Sequence, residues 1–540
     1  ENPMAVAATG FAVAGPYNTF MPQESERYDE LDDIVSTMGA AMLGLSIGCA
    51  RCHDHPYDDV ASSEYYSLVS IFHPTRRELR YLLPDGGREF RKLGDPYDQR
   101  MEEVQQILLT RVKDDNIEEL EFTDAEKDLL RQPIDLNNEE QISLLSRCNR
   151  CLLVDESYIE DDTEPLPQDK ERYDRLRAEM DELWETLPRR PIQGLTIAGS
   201  KVVAMPILKG GALANKGPNV GPGFLAVLTA GDVDWSEDVW RDWDSQQPQP
   251  RPRAALANWM TDKDRGAGAL VARVIVNRVW QHHFGRGLVI TPSNFGYEGE
   301  PPSHPDLLEW LAVELVDSGW SLKHIHRLIL NSATYRQSTA SAAETYRIDP
   351  DNRWFSRWSR KRLTAEMFRD SLLRLGGNLN SRVYGPAFQP SIPRDAIFNR
   401  DTDDIDETWP TNVVARPEVW RRSIYILKRR TNPVPMLQLF DASEGTFSCA
   451  QRSTTTVPTQ ALALWNSQLV RAQSARIALR LRQEASDSEA ALVDRVFMLL
   501  VGRHIDQEEN SKATSFLRQG GKLADLCQVL LMTNEFWYID

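Results

Sequence analysis

Residues 48 to 59 read GCARCHDHPYDD and place two cysteines, two histidines and three aspartates in twelve positions. Within this run Cys49-Ala50-Arg51-Cys52-His53 is C-x-x-C-H. Two residues between the thiols let both add to the vinyl groups of one haem, and the imidazole that follows then lies beneath the iron. With six cysteines and nine histidines in 540 residues, about 0.001 such runs are expected from random composition. A haem c held by Cys49, Cys52 and His53 is therefore the leading reading. The opposite axial position would need another ligand. His55 is too close in sequence to His53 to reach the other face, which leaves Met38, Met42 and His73 as candidates, or a five-coordinate iron open to a small ligand or peroxide. A methionine in a helical stripe is ordinarily core.

Other chemistry is available to the same residues. Cys148 and Cys151 form a second C-x-x-C, so Cys49, Cys52, Cys148 and Cys151 could assemble a zinc site, although about 95 residues separate the pairs, far more than the loop of a zinc ribbon. The plainer reading of Cys148 and Cys151 is a local disulfide or two buried thiols. Asp54, His55, Asp58 and Asp59 could hold a hard cation such as calcium; the plainer reading makes them caps, neighbours of haem propionates or solvated loop residues. A second polar cluster comprises Asn277, Arg278, His282, His283, Asn294 and His304, followed by His326. His282 or His283 could act as acid, base or metal ligand, against the alternative that such groups satisfy backbone at helix ends. No phosphate loop, dinucleotide G-x-G-x-x-G or HExxH occurs, and serine-nucleophile chemistry is not expected.

The elements that must position these residues follow from periodicity. Residues 28 to 48 carry Leu31, Ile34, Met38, Met42 and Leu45 at helical spacing, so the cysteine run follows a helix whose end Gly44 and Gly48 loosen. Tyr97, Met101, Val104 and Leu108, then Tyr173, Leu176, Met180, Leu183 and Leu187, predict two helices zipped as a hairpin or laid across the domain. "KVVAMPIL" and "GFLAVLTA", separated by a Gly- and Pro-rich piece, predict strands. "DSQQPQPRPR" reads as a linker. Beyond it the pattern is helical, with a start at Ser303 to Pro305 and a stop at Gly319, and similar segments at 364 to 376, 458 to 484 and 522 to 535. The expected fold class is mainly α with a small β insert. Its expected segments are 1–80 with the motif, 81–190 as a helical insert, 191–243 as the β element, 244–253 as linker and 254–540 as a helical domain.

Composition bounds the partners. The formal charge of −18 argues against wrapping on nucleic acid, which needs clustered Lys and Arg. No run of about 18 apolar residues predicts a membrane span. The chain begins at Glu1 without initiator Met, basic n-region or cleavable apolar core, as expected of a processed or fragmentary chain.

The stretch "YDELDDIVSTMGAAMLGLSIGCARCHDHPYDDVASSEYYSLVSIF" resembles the end of the cytochrome-type domain of large secreted planctomycete proteins. "RVIVNRVWQHHFGRGLVITPSNFGYEGEPPSHPDLLEW", "RLTAEMFRDSLLRLGG" and "FDASEGTFSCAQRSTTTVPTQALALWN" resemble the domain of unknown function that accompanies it. The resemblance implies an exported protein with covalent haem at Cys49, Cys52 and His53, and, since relatives commonly extend further at the N-terminus, a partner chain completing that domain. The family supplies no settled reaction. The expected function is electron transfer or haem-based redox chemistry in a larger extracytoplasmic assembly, with another haem protein as redox partner. The alternatives are a structural or binding protein of the cell envelope stapled by zinc or a disulfide, and an enzyme on envelope or extracellular polysaccharide using carboxylates such as Glu366 and Asp370 or the His282 cluster.

Overall fold

The computed structural model describes residues 8–15, 24–82, 88–132, 140–141, 144, 159, 163–186, 193–198, 204–231, 251–392, 417–430, 433–443, 445, 448–484 and 488–539. Among these the chain is mostly helical, with three small two-stranded sheets. Helices of eight or more residues are α1 (Glu24–Met38), α2 (Ser62–Phe72), α3 (Arg88–Glu118), α4 (Asp124–Arg131), α5 (Lys170–Thr186), α6 (Pro252–Thr261), α7 (Gly268–Phe284), α8 (Pro305–Asp317), α9 (Leu322–Asn331), α10 (Ala365–Leu375), α11 (Pro458–Asn466), α12 (Gln468–Glu484), α13 (Glu489–Leu500), α14 (Gln507–Arg518) and α15 (Leu523–Leu531). The strands are β1 (Arg76–Tyr81), β2 (Gln193–Ala198), β3 (Met205–Leu208), β4 (Lys216–Val220), β5 (Lys361–Arg362) and β6 (Tyr538–Ile539).

Two compact units emerge, one of residues 1–31 and 75–199, the other of residues 32–74 and 200–540. In the first, β1 and β2 form an antiparallel ribbon from Arg76↔Ala198 to Tyr81↔Gln193. α3 and α5 pack antiparallel: Tyr97 meets Trp184, Arg100 pairs with Glu179 at 3.0 Å, and Glu103 pairs with Arg172 at 2.7 Å. Their seam is Val104, Ile107, Leu108, Leu176 and Met180, with Tyr97, Met101 and Tyr173 against it. The periodicity predicted this stripe. Leu183 is half-buried, and Leu187, Cys148 and Cys151 lie outside the described residues.

In the second unit, α7, α8 and α9 bury Val276, Trp280, Leu311, Leu315, Ile325 and Ile329 in one cluster. A second cluster, with Phe368, Val470, Ile477, Val496, Leu523 and Trp537, is built by α10 and the C-terminal helices. Burial of each such side chain contributes roughly 1.5–3 kcal/mol. The expected helix starts are present: Pro305 sits in the first turn of α8, and Thr364 caps α10 by accepting the Met367 amide. Within the expected β element, β3 takes the Met205–Leu208 part of "KVVAMPIL" and pairs with β4, whereas β2 pairs with β1. Two expectations need correction. "GFLAVLTA" is a 3-10 turn at Ala226–Leu228; Phe224 stacks on Trp259 instead of entering a sheet. Pro252 and Arg253, read as the linker's end, open α6, where proline's fixed φ suits the first turn; residues 244–250 lie outside the described residues.

Candidate functional site

The C-x-x-C-H run is held in the second unit by the helices on either side of it. α1 buries Leu31, Ile34, Val35 and Met38 and continues as one π turn, Gly39–Leu43. Gly44 ends it at φ +61°, a left-handed backbone that glycine takes without steric cost. Ile47–Arg51 then forms a 3-10 turn that carries Cys49 and ends at Cys52. Two tyrosines of α2 brace this turn. Tyr66 Oη donates to the Arg51 carbonyl at 2.9 Å. Tyr65 Oη donates to Asp32 at 2.5 Å, and Asp32 also pairs with the Arg51 guanidinium at 3.4 Å. Burial, and then the Asp32 charge, push the Tyr65 phenol well above its usual value, so it stays a donor.

Both motif cysteines are free thiols and exposed, and His53 is exposed beside them. His53 Nδ1 lies 2.6 Å from the Asp54 carbonyl. A carbonyl only accepts, so Nδ1 carries a proton, and the neutral ring with that tautomer has its lone pair on Nε2, as a metal ligand needs. Of the proposed opposite ligands, Met38 is buried core, His73 is half-buried at the end of α2 and Met42 is exposed.

The remaining polar residues of the run, Asp59 excepted, bind protein groups. Asp54 Oδ1 accepts the Ser62 amide at 2.8 Å at the start of α2. Asp58 Oδ1 accepts the Tyr297 amide at 2.8 Å, and the Tyr57 and Tyr297 rings lie parallel, 6.3 Å apart. Asp59 is exposed. Among the described residues no group of three or more His, Cys, Asp and Glu side chains could hold a metal ion. Gly44-Leu45-Ser46-Ile47-Gly48 has G-x-S-x-G spacing, against the expectation that the chain carries no serine-nucleophile motif. Ser46 Oγ is 3.1 Å from His55 Nε2, and Asp58 Oδ2 is 3.6 Å from His55 Nδ1. This is not a working Ser-His-Asp set. His55 Nδ1 accepts backbone N–H groups from Asp58 at 2.8 Å and Tyr57 at 3.3 Å, so the proton is on Nε2 and donated to Ser46. An imidazole in that state cannot take the serine proton.

The second cluster lies on α7, α9 and the loop between α7 and α8. Asn277, fully buried, accepts the Val289 amide at 2.8 Å and donates to the Val289 carbonyl at 3.0 Å. Arg278 donates to the Ala40 carbonyl at 2.8 Å, and Asn294 accepts the Gly296 amide at 3.0 Å. These groups satisfy backbone. His304 is half-buried and edges the Trp354 and Phe355 rings. His282 is exposed, whereas His283 Nε2 meets His326 Nδ1 at 2.7 Å. Burial, then the His326, Lys361 and His282 charges, hold His283 below its usual value. Lys361 Nζ donates to the His282 and His283 carbonyls, and burial pushes its amine down to about 8. Glu366 pairs with Arg452 at 2.9 Å; burial raises its carboxyl, but Arg452 and nearby donors outweigh that and leave it below the usual range. Asp370 accepts from the Ser423 amide and hydroxyl, both at 2.7 Å.

Residues 252–517 match a family model described as PSD1, a protein of unknown function (DUF1553), and residues 1–77 match one described as PSCyt2, a protein of unknown function (DUF1549). No curated protein and no solved structure matches the chain. Among the described residues no helix is long and apolar enough to cross a membrane. The C-x-x-C-H turn thus lies within the residues that the PSCyt2 model matches, and both descriptions are of unknown function, neither of them a cytochrome domain.

Proposed function

We propose that this chain is an exported protein that carries one covalent c-type haem at Cys49, Cys52 and His53 and serves electron transfer or haem redox chemistry in a larger extracytoplasmic assembly. The observation that supports this reading is the joint state of three side chains: two free, exposed thiols on one braced turn, followed by an exposed imidazole whose Nδ1–H is engaged and whose Nε2 is open. Each cysteine S–H would add across one vinyl double bond, sulfur joining one carbon and hydrogen the other, with no oxidant consumed. His53 would present Nε2 as the proximal ligand. When bound, the haem supplies a one-electron iron couple, whose potential the surrounding ligands and dielectric tune. Electron transfer further requires a redox partner.

The test is an ultraviolet-visible spectrum of the native, exported protein, oxidised and dithionite-reduced, with a pyridine haemochrome on the same sample. A c-type α band that survives acid-acetone extraction is expected, and Cys49→Ser with Cys52→Ser should abolish it. A colourless, properly matured protein with both thiols titratable would overturn the reading.

A further inference from the structure

The stretch between the two family matches contains a turn that touches the motif. At Lys209–Gly211, between β3 and β4, Gly210 and Gly211 both have left-handed backbone, at φ +64° and +69°. They differ in what lies beside them. A Cβ on Gly210 would meet nothing within 4 Å, whereas a Cβ on Gly211 would lie 2.6 Å from Cys52 Sγ. The hairpin is fastened in this place. The Tyr66 hydroxyl, which donates to the Arg51 carbonyl, is also 3.4 Å from the Leu208 carbonyl, so one O–H serves the motif and the start of the turn. Further along, the Ala226 amide donates to Glu64 of α2 at 2.6 Å.

We propose that Gly211 is a positioning residue of the attachment site. Its missing Cβ lets the Cys52 sulfur sit beside the hairpin turn and remain exposed, so that this thiol can form its own covalent bond. A larger residue displaces and covers the sulfur and leaves an attached group held through Cys49 alone. The nature of that group rests on the haem reading; the geometry of the thiol does not.

The test uses the full chain with unmodified cysteines, treated with limiting iodoacetamide. Trypsin cuts after Arg51, so Cys49 and Cys52 are quantified on separate peptides. Gly211→Val should lower the ratio of Cys52 to Cys49 alkylation about tenfold, since access governs thiol reactivity at equal thiolate character. Gly210→Val bears the same left-handed strain without meeting the sulfur and should leave the ratio unchanged. An unchanged ratio in folded Gly211→Val, or an equal fall in both variants, overturns the proposal. Should Gly211→Val not fold, the wild-type protein decides: a bulky polyethylene-glycol maleimide should react more slowly at Cys52 than at Cys49, and equal rates overturn the proposal. In haem-loaded Gly211→Val the pyridine haemochrome should shift towards that of a single thioether. A colourless wild type would remove the haem reading while leaving the alkylation result to stand or fall by itself.

Discussion

Asp58 shows how a residue that could serve chemistry serves structure instead. Its carboxylate is 14% exposed and takes the Tyr297 amide, while its own amide fixes the His55 ring. Asp58→Ala removes a charged acceptor from this joint, and a hydrogen bond to a charged group contributes about 1.5–3 kcal/mol. The expected outcome is a loss of about 2 kcal/mol, seen as a lower urea midpoint at unchanged slope, with Asp59→Ala near wild type. Equal behaviour of the two variants would show that Asp58 is only another loop carboxylate. At this scale C-x-x-C-H was legible because covalent spacing is local. The roles of His55 and Asp58 were not, since both depend on Ser46 and Tyr297, residues whose positions are set by other elements.

At the scale of elements, the His283–His326 hydrogen bond joins α7 to α9. His283 titrates below its usual 6.5, so the folded state binds its proton less readily than the unfolded chain. Its contribution is therefore complete above pH 6.5 and is lost as the pH falls through that value towards the lower native one. Urea unfolding between about pH 7.5 and 5 should show stability declining on the acid side, and His283→Gln should flatten that limb. A wild-type profile that is flat there would refute the linkage. The groups facing His283 are His326 from α9, Lys361 from β5 and His282 on its own helix. Helical periodicity predicted α7 and α9 separately; nothing local pairs residue 283 with residue 326.

At the scale of the molecule, the segment 32–74 and the C-terminal half form one compact unit, although the two family matches divide them. Phe295 donates its amide to the Gly44 carbonyl at 2.6 Å, Tyr297 to Asp58 at 2.8 Å, and Arg278 reaches the Ala40 carbonyl. A fragment beginning at residue 252 lacks all three acceptors. Hydrogen exchange at the Phe295 and Tyr297 amides should then be faster than in the full chain by about tenfold or more, with the buried Ile325 amide of α9 far less affected. Equal protection in fragment and full chain would mean that the C-terminal domain holds this loop unaided.

The mainly helical class, the α3–α5 seam, the starts of α8 and α10 and the C-x-x-C-H run were all legible in the residues, because each rests on spacing within one element: 3.6 residues per turn, a start signal beside its helix, two residues between thiols. The pairing of β2 with β1, the turn at Ala226–Leu228, the proton on His55 Nε2 and the approach of Gly211 to Cys52 required the tertiary structure. Each joins residues that different elements carry, and no local periodicity records which strand, amide or sulfur a distant segment will meet.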